Sequence, residues 1–529
     1  MRVEFEFGDS KVRISYEGKL EDYYSMDNPL WKMAFQSNLN PFDESIFSKS
    51  NMEHFNKAYE KLTTDVMNYY KNVNKVYEEY LKMKKSGSEN TPNNKNAIYA
   101  NGHDIYNYVA RYGLANYQIQ AVIRLDGNLD FEKLSRAVRL SVVSQPVFGC
   151  RFIENEPPYW RLMDNIDETM FCSFEETDNL DEAVQSFLES PLDMDRDPMV
   201  KVRLIRSGSY DTLCIKVNHA CCDGAGTKEY VQLLSEIYST IDQKYEIFIP
   251  EPAKRTRKDQ DRLFSILGIK DPEAQWIPGS EITNATWPFP WKQVQADTSR
   301  MVVCRLSQEQ LEEIKRYSKA KGATINDLIL TAYYRAMPEM GQPVYGEPMD
   351  ISVTVDLRRY LPDRKTEAIR NFSGSEVTRI ALMPDEPFNE TFNETLSRVS
   401  SMMNEIKSGR PGLQSAIGLE RIEKISLSET LAYYKMVSQW PYYCCDKCAP
   451  VLSNLGTITN SIIKFGNITV TDAYIVPPVV RAPGLLLMVS TYNGSMTLAA
   501  GYNEGSIPGE DIERLLNRIK NELVEGCKL

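Results

Sequence analysis

The sequence predicts an α/β protein of two lobes carrying an N-terminal helical extension. Three observations lead there. From residue 97 onward, short alternating apolar segments are interleaved with helical apolar stripes. A proline-rich stretch, residues 243 to 300, divides that pattern in two. Before residue 97, the stretch from Phe55 to Tyr80 follows a different, heptad-like rhythm. A chain of 529 residues also exceeds what one core normally serves, so more than one folding unit is expected.

Taken in order, residues 1 to about 50 are irregular in pattern. Phe55, Tyr59, Leu62, Val66, Tyr69, Val73, Val76 and Tyr80 then step by fours and threes. They predict a helix from Asn51 to Lys85, about 50 Å long at 1.5 Å per residue. Its Tyr/Val seam needs a cover, either the rest of the chain or a partner through residues 51–85, self-association included. Residues 86 to 96 (SGSENTPNNKN) read as a linker. Tyr117 to Leu125 suits a strand, and 129 to 145 a helix with Leu129, Leu134, Val138 and Val142 on one face. Val200 to Arg206 alternates, SGSYD turns, and Leu213, Ile215 and Val217 alternate again, which predicts a hairpin. A helix starts near Gly224. The connection from 243 to 300 contains a basic run, KRTRK at 254 to 258, expected to be a solvated surface stretch. Beyond it come a strand at 301 to 306, two helices, strands at 350 to 355 and near 375 to 382, and helices between 388 and 435. Strands at 466 to 476, 484 to 491 and 495 to 502 and a helix at 508 to 525 complete the pattern. The expected division is 1–96 extension, 97–262 first lobe and 263–529 second lobe.

Composition narrows the function. Hydrophobic residues at 42% and charged residues at 25% are globular proportions. A net charge of -12 argues against a phosphate backbone as partner, so no nucleic-acid role is expected. No run reaches the ~18 apolar residues of a membrane span. The opening MRVEFEFGDSKVRISYEG lacks an apolar leader core, and the ten cysteines are sparse, so reduced thiols and a cytoplasmic location are expected. Cys444, Cys445 and Cys448 form a CxxC without a second pair, which predicts no metal site. There is no P-loop and no Gly-x-Gly-x-x-Gly.

The chemistry concentrates where the hairpin's second strand runs into Asn218-His219-Ala220-Cys221-Cys222-Asp223-Gly224. Only three histidines occur, and His54 and His103 lie in or beside the extension. An imidazole with pKa near ~6.5 can take the proton of an attacking hydroxyl or amine. Asp223, if buried, needs a cationic partner, and Gly224 allows a tight exit into the helix. The same letters also fit a core histidine at a strand end followed by a helix-capping Asp.

His219-x-x-x-Asp223-Gly224 is the pattern shared by the superfamily of CoA-dependent acyltransferases and condensation domains, which the chain resembles from Ala97 to its end. Residues 124 to 152 (RLDGNLDFEKLSRAVRLSVVSQPVFGCRF) are similar to that family's opening strand, turn and helix, and residues 197 to 226 to the hairpin carrying its active site. VDLRRYLP (355 to 362), NFSG (371 to 374) and SNLG (453 to 456) resemble segments of alcohol acyltransferases and polyketide-associated acyltransferases. The resemblance implies two chloramphenicol-acetyltransferase-like lobes with mostly antiparallel sheets and a tunnel between them. It implies His219 as general base and Asp223 as a structural acid paired across the lobes with Arg358, Arg359 being the fallback. Gly224 supports the site, and Ser453, Asn454 and Asn371 are the candidate substrate-binding residues. Many relatives carry a second histidine where Asn218 stands. The expected activity is acyl transfer from a thioester to a small-molecule hydroxyl or amine. Acyl-CoA, or phosphopantetheine on an acyl carrier protein, would be the co-substrate, with no tightly bound cofactor. The alternatives are a condensation-type enzyme using carrier-bound acyl groups and a non-catalytic binding or assembly subunit of the same fold.

Overall fold

A computed structural model describes residues 2–7, 10–15 and 97–528, apart from 194, 242–249, 278–282, 293–297, 345, 383–389 and 440–445. The helix expected over 51–85, the linker at 86–96, and Cys444 and Cys445 lie outside the described residues. The opening residues, read from sequence as irregular, form an antiparallel hairpin: β1 (Arg2–Phe7) and β2 (Ser10–Ser15), with Arg2 opposite Ser15. Glu4 and Glu6 alternate there with Val3, Phe5 and Phe7, a strand period that the charges disguise.

The first lobe begins with β3 (Ala97–Tyr99), α1 (Gly102–Val109) and β4 (Gln118–Leu125). Next come α2 (Phe131–Ser144), β5 (Cys150–Ile153), β6 (Tyr159–Leu162), β7 (Cys172–Glu176) and α3 (Leu180–Glu189). Then β8 (Val200–Ser207) and β9 (Tyr210–Asn218) make the expected hairpin, with Gly208 at φ +61° in its two-residue turn, and lead into α4 (Gly224–Ile241). Asp130 caps α2, and Leu134, Ala137, Val138, Ser141 and Val142 form its buried stripe. Helix α2 packs beside α4 on one face of the sheet. Helix α3 covers the other face with Ala183, Val184, Phe187 and Leu188, so β9 is buried from Asp211 to Asn218. Each aliphatic side chain buried this way contributes roughly 1.5–3 kcal/mol.

The connection holds α5 (Lys258–Ile266) and β10 (Trp287–Pro288). The second lobe follows with β11 (Ser299–Leu306), α6 (Gln308–Lys321), α7 (Ile325–Ala336), β12 (Pro348–Asp356) and β13 (Ser373–Ala381). It continues through α8 (Phe392–Ser408), α9 (Leu413–Ile422), α10 (Leu427–Gln439) and β14 (Lys447–Thr457). The chain ends with β15 (Lys464–Phe465), β16 (Ile468–Val476), β17 (Gly484–Tyr492), β18 (Ser495–Asn503) and α11 (Gly509–Gly526). Capping boxes at Ser307 and Thr324 start α6 and α7. Ile512, Leu515, Leu516, Ile519 and Leu523 seal α11 onto the core.

The sheet order in the second lobe is β11-β18-β17-β14-β12-β13, with β10 also on β14. In the first it is β15-β16-β4-β9-β8-β7. Pairing is mostly antiparallel; β7 with β8, β12 with β14 and β14 with β17 are parallel. Residues 464–476, counted from sequence with the second lobe, therefore belong to the first lobe's sheet, where β16 pairs antiparallel with β4. The chain leaves the second sheet after β14, completes the first, and returns at β17.

Candidate active site

The His219 loop is short because both its ends are fixed. Strand β9 stays in register with β4 up to Asn218 opposite Gln118. The His219 N–H then donates to the Tyr117 carbonyl at 2.8 Å. The Asn218 side chain accepts from the Ala220 amide at 2.9 Å and turns the chain back on itself. Four residues later, Asp223 begins α4. Its Oδ1 accepts from the Gly226 amide at 2.7 Å, and its carbonyl accepts from Thr227 N–H at 2.8 Å. Asp223 is therefore a helix cap as well as a partner of the second lobe.

That second role is built from β12 and the segment before β13. Arg358 meets Asp223 end-on, Nη1 to Oδ2 at 3.0 Å and Nη2 to Oδ1 at 3.2 Å, and also donates to the Arg370 carbonyl. The Phe372 amide donates to Asp223 Oδ2 at 2.7 Å. Burial alone would raise the Asp223 carboxyl, but Arg358 and the two amides hold it below the usual range. Arg358 is itself almost wholly buried and also meets Glu229 and Asp356, each at 3.2 Å. Arg359 is not needed for this contact.

Asn371 fixes the histidine. Its amide nitrogen donates to the carbonyls of His219 (2.8 Å) and Ala220 (2.9 Å), which orients its oxygen toward His219 Nδ1 at 3.1 Å. An amide oxygen only accepts, so Nδ1 carries the hydrogen and Nε2 of the neutral ring keeps its lone pair. Burial lowers the imidazole's pKa; its own carbonyl, Asp223, Asn371 and the Cys222 carbonyl pull the other way without reversing that. The ring is thus neutral at ordinary pH while part of the residue remains exposed.

At Gly224 the constraint is space rather than backbone freedom. A Cβ there would meet Leu455 Cδ2 at 2.7 Å, so a side chain at 224 would press on β14 of the second lobe. Lys228 Nζ donates to the Leu455 and Thr457 carbonyls beside it. Ser453 is buried and bonded to Thr354 Oγ1 at 3.1 Å. Asn454 bonds to Asn326 and to the Gly456 amide. Asn371's amide is fully taken up by the His219 loop. Cys221 and Cys222 are buried thiols donating to the Asn218 and Asp223 carbonyls. Burial pushes both up, so neither is a thiolate nucleophile at neutral pH.

Sequence reasoning missed a second brace. The basic run is not simply solvated: Arg255 is buried, pairs with Asp104 of α1, and donates to the Cys221 carbonyl at 3.0 Å and the Ile369 carbonyl at 3.1 Å. Arg257 bridges Glu420 and Glu423 at 2.5 and 2.6 Å. Only Lys254 and Lys258 of the run's charges are fully at the surface. His103 was also passed over. It lies buried under the site, its Nε2–H reaching the Ser373 carbonyl at 2.8 Å and its ring stacked on Phe372. Among the described residues no cluster of metal-ligating side chains occurs, and no helix is long and apolar enough to cross a membrane.

A histidine held between two mixed-sheet lobes, with a carboxylate–guanidinium pair behind it, defines a fold class that includes acyl-transferring enzymes. The condensation-domain family model matches residues 113–426, more than half of the chain, and the chain belongs to that family. Tyrocidine synthase 3 of Brevibacillus parabrevis is 22% identical over 295 residues, 54% of this chain but 4% of that protein's length. In fold the chain is similar to the first condensation domain of the CDA synthetase, with a TM-score of 0.58, 16% identity, and coverage of 82% of this chain and 96% of that one. It is similar as well to a trichothecene 15-O-acetyltransferase from Fusarium sporotrichioides, with a TM-score of 0.59, 14% identity, and coverage of 82% and 95%.

Proposed function

We propose that the chain moves an acyl group from a phosphopantetheine thioester to a hydroxyl or amine acceptor, with His219 Nε2 as general base. The observation that carries this reading is the Asn371 contact, which leaves Nε2 as the unprotonated nitrogen of a neutral ring. The acceptor's O–H or N–H gives its proton to Nε2 as its oxygen or nitrogen bonds to the thioester carbonyl carbon. The C–S bond then breaks, and the departing sulfur takes the proton back from the imidazolium. Asp223 is a structural acid in this scheme, since its carboxylate is committed to Arg358 and two amides rather than to the ring. Ser453 and Asn454 are proposed to shape the channel wall through β14 rather than to contact the reacting atoms.

Two sources of the acyl group share this chemistry. Acyl-CoA is the simpler donor. The family match, with a peptide synthase among the relatives, favours a carrier protein's phosphopantetheine. His219→Ala is expected to lower transfer by ~10²–10⁴-fold with the fold intact. The assay offers acyl-CoA and acyl carrier protein in parallel to a panel of amines and alcohols. Turnover undiminished in His219→Ala removes the base assignment, and turnover with one donor alone assigns the carrier.

A further inference from the structure

Tyr117, the residue immediately before β4, has φ +48°, in the left-handed region that bulky side chains avoid. Such a conformation is unfavourable for a bulky side chain and persists only where the surroundings enforce it. Three contacts do so here. The Tyr117 carbonyl accepts the His219 N–H at 2.8 Å. The Tyr117 ring lies against the imidazole, centroids 5.8 Å apart and tilted by 50°. Its hydroxyl lies beside that of Tyr106, whose ring meets Tyr434 edge-on at 6.3 Å. The ring is thus backed by a column of aromatics running from the first lobe to α10. A residue in extended geometry at 117 would continue β4 and turn its side chain out of this position.

We infer that Tyr117 is a positioning residue for His219, fixing the loop through its carbonyl and excluding water from one face of the imidazole through its ring. This rests on the reading of His219 as the base. The phenol itself stays neutral, because burial raises it far above its usual range, so it serves as a wall and not as an acid or base. The other groups facing the imidazole are Asn371, from the segment before β13, and the Asp223 carboxylate at the start of α4, with Arg358 behind it. Neither depends on residue 117. Removing the ring should therefore rehydrate the imidazole while its hydrogen-bond partner stays in place.

The test uses full-length protein labelled with ¹⁵N-histidine. With three histidines in the chain, the His219 signal is assignable by its loss in His219→Gln. Tyr117→Gly keeps the carbonyl, tolerates positive φ without strain and removes the ring. The His219 titration midpoint should rise toward that of an exposed imidazole, and the acid limb of kcat/KM should rise with it. Turnover should fall about 10- to 100-fold, the scale of a misplaced catalytic group. Tyr117→Phe, which restores the ring alone, should return the titration close to that of the parent. An unmoved His219 midpoint in folded Tyr117→Gly overturns the inference. If Tyr117→Gly does not fold, the comparison passes to Tyr117→Leu and Tyr117→Phe, and equal midpoints in those two overturn it as well. Because the titration is read without turnover, an inactive parent protein would count against the acyl-transfer reading and leave this result standing.

Discussion

Two buried arginine–aspartate pairs grip the loop between β9 and α4, and they hold different things. Arg358 and Asp223 join the lobes through side chains: the carboxylate caps α4 and the guanidinium meets it end-on. Arg255 and Asp104 join the interlobe connection to α1, and Arg255 reaches the loop only through the Cys221 backbone carbonyl, its other carbonyl partner being Ile369 before β13. The first pair fixes where the helix begins relative to the second lobe. The second fixes the path of the chain between them. Loss of either should destabilise the protein, but only the first should also move the histidine's immediate support.

The largest effect is expected at Arg358→Ala, which takes the cation from three carboxylates at once, Asp223, Glu229 and Asp356: a loss of about 3–5 kcal/mol in urea unfolding, with transfer reduced in whatever protein remains folded. Arg255→Ala should cost about 3 kcal/mol, the low end of that range, because Asp104 keeps the Trp160 indole and the Asn101 amide as donors. Its folded fraction should lose far less of its rate than Arg358→Ala. Equal rate losses in the two would break the distinction between a side-chain brace and a backbone brace.

The smallest effect concerns pH and sharpens the same contrast, because His103 sits between the pairs. Burial lowers its pKa from 6.5 to about 4, partly offset by the Ser373 carbonyl, Asp104 and Asp223. The unfolded chain then binds a proton below pH 6.5 that the folded chain refuses until near pH 4. Its contribution is present above pH 6.5 and is lost as pH falls through that window, about 2 kcal/mol between pH 7 and 5. Unfolding of His103→Gln at the two pH values should show a correspondingly flatter acid limb, and an unchanged slope would remove His103 from the acid response.

How legible these parts are in the sequence follows from how local they are. Strands β8 and β9 announce themselves by alternation and a Gly turn, and both ends of the Asp223–Arg358 pair stand in segments with a family-like pattern. Arg255 has no such signal, since nothing in KRTRK distinguishes the one side chain that turns inward. Asn371 stands out within NFSG, but its bond to His219 spans 152 residues and no spacing encodes it. Strand β14 was missed altogether. It is central and parallel to both main neighbours, so it lacks the alternation of a half-exposed strand, and it contains Pro450 and Gly456. The destination of β16 is equally silent, because its pattern would suit an edge in either sheet.

That crossing of β16 into the first lobe has a consequence for how the protein is made. Strand β4 ends at residue 125, yet its neighbour is complete only at residue 476. At roughly 5–20 residues per second of synthesis, the ribosome needs on the order of 20–70 s to deliver the strand that closes that flank. Throughout this interval the nascent first lobe presents an open row of backbone donors and acceptors. That flank of β4 can therefore close only after residue 476 has emerged, and a gene cut between the lobes would yield a first half with a permanently open sheet.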